Sequence, residues 1–139
     1  MRVLVDTDII LDYLLKRSEF AEAAREIWLA NEAGKFEGFI CAITPVNVFY
    51  IARKLRGAEF TRQIIRELLL NWKICDVNQQ VLENARQSAM SDFEDAVQVE
   101  SARFQRLDGV VTRNINDYAR AALPVMLPAD FLLRLSDSE

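Results

Sequence analysis

The chain has 139 residues, 51% hydrophobic and 27% charged, with a net charge of −4, no histidine and two cysteines. That length makes one domain with a real core, burying about two-thirds of the surface its unfolded chain exposes. The composition excludes a disulfide scaffold, whole-protein steering toward a polyanion, and any metal site or acid–base chemistry built on imidazole.

Four glycines and three prolines predict short loops, and the abundance of helix-forming residues predicts more helix than strand. Cys41 and Cys75 sit in apolar, strand-like surroundings and are expected as buried free thiols in a reducing compartment. No charged-then-apolar leader pattern opens the chain, and no apolar run reaches about 18 residues. A cytoplasmic protein with no membrane partner is expected.

Residues 2–5 form an apolar run ending at Asp6, which reads as a strand buried on both faces. Ile9, Ile10, Tyr13, Leu14 and Leu15 then fall at helical spacing. Lys16-Arg17-Ser18 breaks the pattern; Ser18 can cap a second helix, with Ala23, Ile27 and Ala30 on one face, that Gly34 closes. A strand over 37–41 follows. Thr44 reads as an N-cap with Pro45 at the first helical position, opening a helix through Val46, Phe49, Tyr50 and Arg53 to Gly57.

Another helix over 59–70 carries Ile64, Ile65, Leu68 and Leu69, and Trp72 to Cys75 is a short strand. Val81, Leu82 and Ala85 mark a helix over 78–89. Asp92 caps a helix to about Arg106, Gly109-Val110-Val111 is a strand, and Val125-Met126-Leu127 is the last. Pro128 precedes a short amphipathic tail. Strands alternating with helices imply a parallel sheet covered on both faces, with ligands beyond the carboxyl ends of its strands.

Four patches of acid and amide residues fall at strand ends and helix starts. They are Asp6-Thr7-Asp8, Thr44-Pro45-Val46-Asn47, Asp92-Phe93-Glu94-Asp95, and Thr112-Arg113-Asn114 with Asp117. Asp6, Thr44 and Thr112 lie just past predicted strand ends and so can converge. Gathered in one cleft, the carboxylates repel one another and call for a divalent cation. With no histidine present, an oxygen-lined Mg²⁺ or Mn²⁺ site is the chemistry that remains.

Each of these residues also has a plainer role. Asp6 or Asp8 can cap the next helix, and Asp12, four residues before Lys16, suits a solvated ion pair. Thr44 to Asn47 has capping-box spacing; alternatively Asn47 faces the cleft as a neutral ligand or hydrogen-bond partner. Asp92 and Asp95 share a helix face, with Glu94 pointing elsewhere and Phe93 expected in the core. One acid serves a helix dipole, but three in four residues exceed that need, so Asp95 is the expected ligand and Asp92 its support. Asn114 and Asp117 suit a turn, and Asp117 can cap a short helix over Tyr118–Ala122. Arg113 suits a phosphate contact or a solvated arginine equally. Arg53-Lys54-Leu55-Arg56, with Arg62 and Arg66, is either an exposed helix end or a strip for a phosphate backbone.

In order and spacing, Val3-Leu4-Val5-Asp6-Thr7-Asp8 through Leu11-Asp12, Ile43-Thr44, Asp92-Phe93-Glu94-Asp95-Ala96 and Val111-Thr112-Arg113-Asn114-Ile115-Asn116-Asp117-Tyr118 resemble a PIN domain. This is the nuclease fold of many VapC-type toxins of toxin–antitoxin systems. The resemblance covers nearly the whole chain and implies a single PIN-like domain over 1–139. Its class would be α/β: three layers, α/β/α, around a central parallel sheet of about four or five strands.

The resemblance implies Asp6, Asp95 and Asp117 as catalytic, metal-binding carboxylates, with the Thr112 hydroxyl beside them. Asn47, Asp92, Glu94 and Asn114 complete the expected site in support, with Arg53 and Arg113 against RNA phosphate. Most members carry a glutamate on the helix after the second strand, where this chain offers Asn47. A subgroup with the Asp-Phe-Glu-Asp motif is similar in this respect, Glu94 or Asp92 supplying the charge. The implied activity is Mg²⁺- or Mn²⁺-dependent hydrolysis of RNA. The implied partners are an antitoxin, lying in the groove near the acids, and a second copy in a homodimer. Phe49, Tyr50, Ile64 and Leu68 are interface candidates whose alternative is ordinary core.

Two rival readings remain at this point. Asp6-Thr7-Asp8 after an apolar strand also resembles the nucleophile motif of haloacid-dehalogenase-type phosphatases, although no Gly-Asp pair is present. The other rival is a PIN-fold binding module without activity, which Asn47 in place of an acid favours.

Overall fold

The computed structural model describes residues 1–138, with the backbone alone described at Ser18, so the cap expected of that side chain lies outside the described residues. Five strands, β1 (Arg2–Val5), β2 (Glu37–Cys41), β3 (Lys73–Cys75), β4 (Gly109–Val111) and β5 (Val125–Met126), form one sheet in the order β3-β2-β1-β4-β5. Every pairing is parallel. The helices are α1 (Thr7–Leu14), α2 (Ala21–Glu32), α3 (Ile43–Arg56), α4 (Ala58–Asn71), α5 (Gln79–Arg86), α6 (Phe93–Phe104) and α7 (Pro128–Asp137). This is the expected three-layer α/β/α arrangement. Among the described residues, no helix is long and apolar enough to cross a membrane.

Successive strand residues face opposite sides of the sheet. Val3, Val5, Ile40 and Val111 pack with side chains of α1 to α4 and α7, while Leu4, Phe39, Cys41, Cys75 and Val110 pack with those of α5 and α6. Both faces are thus covered, which is why the strands are continuously apolar. Cys41 and Cys75 are register partners on β2 and β3, free and fully buried. Burial raises both thiols, that of Cys75 to about 12.

From β1 the sheet extends to β2 and β3 on one side and to β4 and β5 on the other. The order therefore reverses between β1 and β4, where a crevice opens beyond the strand ends. The Asp6 N–H continues the ladder there, donating to Val111 O at 3.0 Å.

Local chemistry sets the element ends. Gly34, at φ 73°, follows α2, its N–H donating to Asn31 O while Lys35 N–H donates to Ala30 O, the paired bonds of a Schellman cap. Gly57, at φ 84°, separates α3 from α4. Pro128 opens α7 where its missing N–H is not needed.

Several local expectations are corrected. The helix α3 begins at Ile43 rather than after Thr44, because the buried Thr44 hydroxyl is drawn to Thr7 instead of capping. Residues 115–120 form a run of turns, not a helix, held by i+3 bonds such as Tyr118 N–H to Ile115 O. The helix α5 stops at Arg86, short of residue 89. Phe93 is 56% exposed: as the first residue of α6 it lies beyond the strand ends, where no layer faces it. Ile64 and Leu68 are core, while Phe49 is half-buried with its ring edge-on to Tyr50, which is 61% exposed.

Candidate active site

Asp6 stands at the N-cap position of α1, yet its side chain makes no cap hydrogen bond. Its carboxylate is buried, 2% exposed, and held from two sides. Thr112 Oγ1, just past β4, donates to Asp6 Oδ2 at 2.7 Å, and Gln98 Nε2 of α6 donates to Oδ1 at 3.1 Å. Residues 6 and 112 meet because their strands are sheet neighbours in register, Val5 against Val111.

Gln98 reaches further. Its Oε1 accepts from the Thr7 N–H at 3.3 Å and lies 3.4 Å from Thr7 Oγ1. A backbone N–H can only donate, which settles the amide orientation. Gln98 Nε2 also donates to the Tyr118 hydroxyl at 3.3 Å, and that hydroxyl donates to Asp95 Oδ1 at 3.3 Å. Asp6 and Asp95, 89 residues apart in the chain, are therefore joined through two uncharged side chains.

The other acids gather around this line. Asp92 caps α6, accepting the Asp95 N–H at 2.9 Å. Glu94, expected to point elsewhere, instead accepts from Asn47 Nδ2 at 3.0 Å, because the first turn of α6 opens on the cleft and its side chains splay around that end. Asn114 joins the wall, donating Nδ2 to Asp8 Oδ2 at 2.7 Å and its N–H to Thr112 Oγ1 at 3.0 Å. Asp117 sits exposed on the turn run, its N–H bonded to Asn114 O at 2.9 Å, and its carboxylate acts on Asp95 through charge.

The two arginines are placed differently. Arg113 donates Nε to Asp12 Oδ2 at 2.7 Å and Nη2 to Oδ1 at 3.3 Å, with its guanidinium 4.2 Å from the Phe20 ring centroid. Asp12 is 1% exposed, so the solvated pair with Lys16 is replaced by a buried one across the fold. Arg53 lies exposed in the last turn of α3, about 9 Å beyond Asn47 along the helix axis.

Electrostatics marks the cleft as strained by like charge. Burial, then the charges of Asp6 and Asp92, push the Asp95 carboxyl up to about 7, against the Tyr118 hydrogen bond. Burial also raises Asp6, opposed by the Thr112 hydroxyl, and Asp8 adds to the rise. Glu94 is raised by burial, then by Asp92, Asp6 and Asp8. Burial, then the charges of Asp6 and Asp95, raise the Tyr118 phenol and keep it a neutral donor.

The donor set is hard oxygen with an excess of negative charge, which fits Mg²⁺ or Mn²⁺. Among the described residues no three carboxylates already form a cage. Mg²⁺ commonly takes only one or two carboxylates and keeps several waters, so a cleft without a three-acid cage is within its chemistry.

The family model for the PIN domain matches residues 2–116. The chain belongs to the PIN domain family. The matched span holds Asp6, Asp95, Thr112 and Asn114 and ends just before Asp117. With the PIN family shown, the haloacid-dehalogenase reading is set aside. Among solved structures, a chain of a toxin–antitoxin complex from Klebsiella pneumoniae is 28% identical at a TM-score of 0.67, over 91% of this chain and 97% of that one. VapBC2 from Rickettsia felis, bound to a promoter DNA fragment, gives a TM-score of 0.71 at 15% identity, over 91% and 98% of the two chains. Mycobacterium tuberculosis VapC20, a Sarcin-Ricin loop cleaving toxin, gives 0.64 at 11% identity, over 78% and 86%. No curated protein matches the chain.

Gln98 and Tyr118 of this PIN domain were not anticipated as site residues. The available signal was spacing: Gln98 lies three residues after Asp95 on one helix face, a lone amide among Ala96, Val97 and Val99.

Proposed function

We propose that this PIN domain is an Mg²⁺- or Mn²⁺-dependent endoribonuclease and the toxin of a toxin–antitoxin pair. The observation that carries the reading is the buried Asp6 carboxylate linked to Asp95, itself pushed up to about 7 by burial and like charge. Asp6 and Asp95 would hold the ion, with Asp117 approaching from the solvent side. The chemistry such an ion supplies is neutralisation of phosphodiester charge and activation of water.

On the chain's side, Thr112 and Gln98 keep Asp6 oriented and favour its ionised form. Asp92 holds the first turn of α6 in place through the Asp95 N–H. Asn47 and Glu94 line the wall where most PIN domains carry a glutamate, and Asn114 ties Asp8 to Thr112. RNA phosphate would pass along Arg53 and Lys54; Arg113 is left out of that role because Asp12 engages its fork.

RNA as substrate and an antitoxin as partner draw support from what VapC20 and the Klebsiella complex are. A homodimer would cover the exposed Val46 and Tyr50 of α3. The buried free thiols suit the reducing cytoplasm.

The test is cleavage of a structured RNA by the purified chain with Mn²⁺, followed on denaturing gels. Cleavage is expected to stop with EDTA and to fall about 100-fold or more in Asp6→Asn. Degradation that persists in EDTA and ignores the substitution overturns the proposal. The inactive-module reading, favoured by Asn47, predicts no heat on calorimetric titration with Mn²⁺.

A further inference from the structure

We propose that Gln98 and Tyr118 form an uncharged hydrogen-bonded bridge that sets the spacing of Asp6 and Asp95, making both of them positioning residues for the metal-holding pair. This inference rests on the metal-dependent reading above.

Gln98 is fully buried in the stretch Ala96–Ala102 of α6, which packs against the sheet. Burying an amide is unfavourable unless its hydrogen bonds are met, and a leucine or methionine would fill the same space without that requirement. Here every polar direction of the amide is used: its oxygen faces Thr7, and its nitrogen serves Asp6 and Tyr118. One nitrogen shared between the Asp6 carboxylate and the Tyr118 hydroxyl couples their positions directly. Tyr118, 2% exposed, passes the constraint on by donating to Asp95.

The chemistry of the two links suits this task. A lysine or arginine between the acids would neutralise them and compete with a divalent ion, while a third acid would push them apart. An amide and a phenol hold them in place and leave the net negative charge for the cation. Tyr118 also anchors the turn that carries Asp117, since it follows Asp117 directly and its N–H bonds to Ile115 O.

The experiment measures Mn²⁺ affinity of the full chain by calorimetry, with urea unfolding of the metal-free protein beside it. The variants are Tyr118→Phe, which keeps the ring and loses one oxygen, Gln98→Met, which keeps the volume, and the two combined. Each single variant is expected to weaken Mn²⁺ binding about 10-fold. The double variant should be no worse than about 10-fold, because either change opens the same bridge. A purely structural role would move the urea midpoint and leave the affinity of the folded protein unchanged; that result overturns the bridge while the metal reading stands. Fully multiplied losses in the double variant also overturn it, showing two independent contacts. A wild-type chain that takes up no Mn²⁺ removes the metal reading and the bridge's role together. Should Gln98→Met fail to fold, Tyr118→Phe decides alone, with unchanged affinity the refuting outcome.

Discussion

Arg113→Met separates a structural arginine from an RNA-binding one. Asp12 is 1% exposed, and Arg113 gives it two charge-assisted hydrogen bonds, of 2.7 and 3.3 Å. At roughly 1.5 kcal/mol each, their loss amounts to about 3 kcal/mol, within the usual range for stripping one partner from a buried pair. Arg17 approaches Asp12 at 3.9 Å with a side chain 34% exposed, so its compensation is at most about 1 kcal/mol. The net expectation is a loss of about 2 to 3 kcal/mol, read as a lower urea midpoint at unchanged slope. Arg113→Lys should recover only part of it, since an ammonium cannot form the two-pronged contact. Asp12→Leu combined with Arg113→Met should recover most of it, because no charge is then left buried and unpaired. A stability change under about 0.5 kcal/mol, together with weaker RNA binding and a shallower salt dependence, would refute this and return Arg113 to the phosphate.

The metal-free protein should lose stability as pH rises. Asp95 is raised from 3.8 to about 7 on folding, and Asp6 and Glu94 are raised too. The folded chain then binds more protons than the unfolded one between pH about 4 and 7, so stability falls through that window. Urea midpoints should be higher at pH 5 than at pH 8, and Asp95→Asn should flatten the difference. In the adjacent pair on α4, Leu68 is fully buried and Leu69 is 52% exposed. Leu68→Ala should cost about 2 to 5 kcal/mol and Leu69→Ala under about 0.5 kcal/mol, both measured by urea unfolding.

The strand-end patches were legible because a parallel sheet forces the residues after its central strands into one crevice. Apolar runs followed at once by Asp6 and Thr112 therefore declared both a fold and a meeting place. What escaped were partners with no local signature. Asp12 sits four residues before Lys16, and that spacing suggested a helix-surface pair; its partner, Arg113, lies 101 residues away. Glu94 seemed off the helix face because periodicity says little about a first turn that ends over a cleft. Thr44 had the look of a cap until the Thr7 hydroxyl offered its oxygen a buried partner at 2.8 Å.

By itself the amino-acid order determined the layered α/β class, the all-oxygen character of the site and the positions where acids gather. Those depend on hydrophobic period, residue type and strand ends, all of which are local. Only the tertiary structure decided that Asp6 is held by Thr112 and Gln98, that Tyr118 carries the link on to Asp95, and that Arg113 turns to Asp12. Such choices are made by burial, since once water is excluded each polar atom must take whichever partner the packing brings within reach.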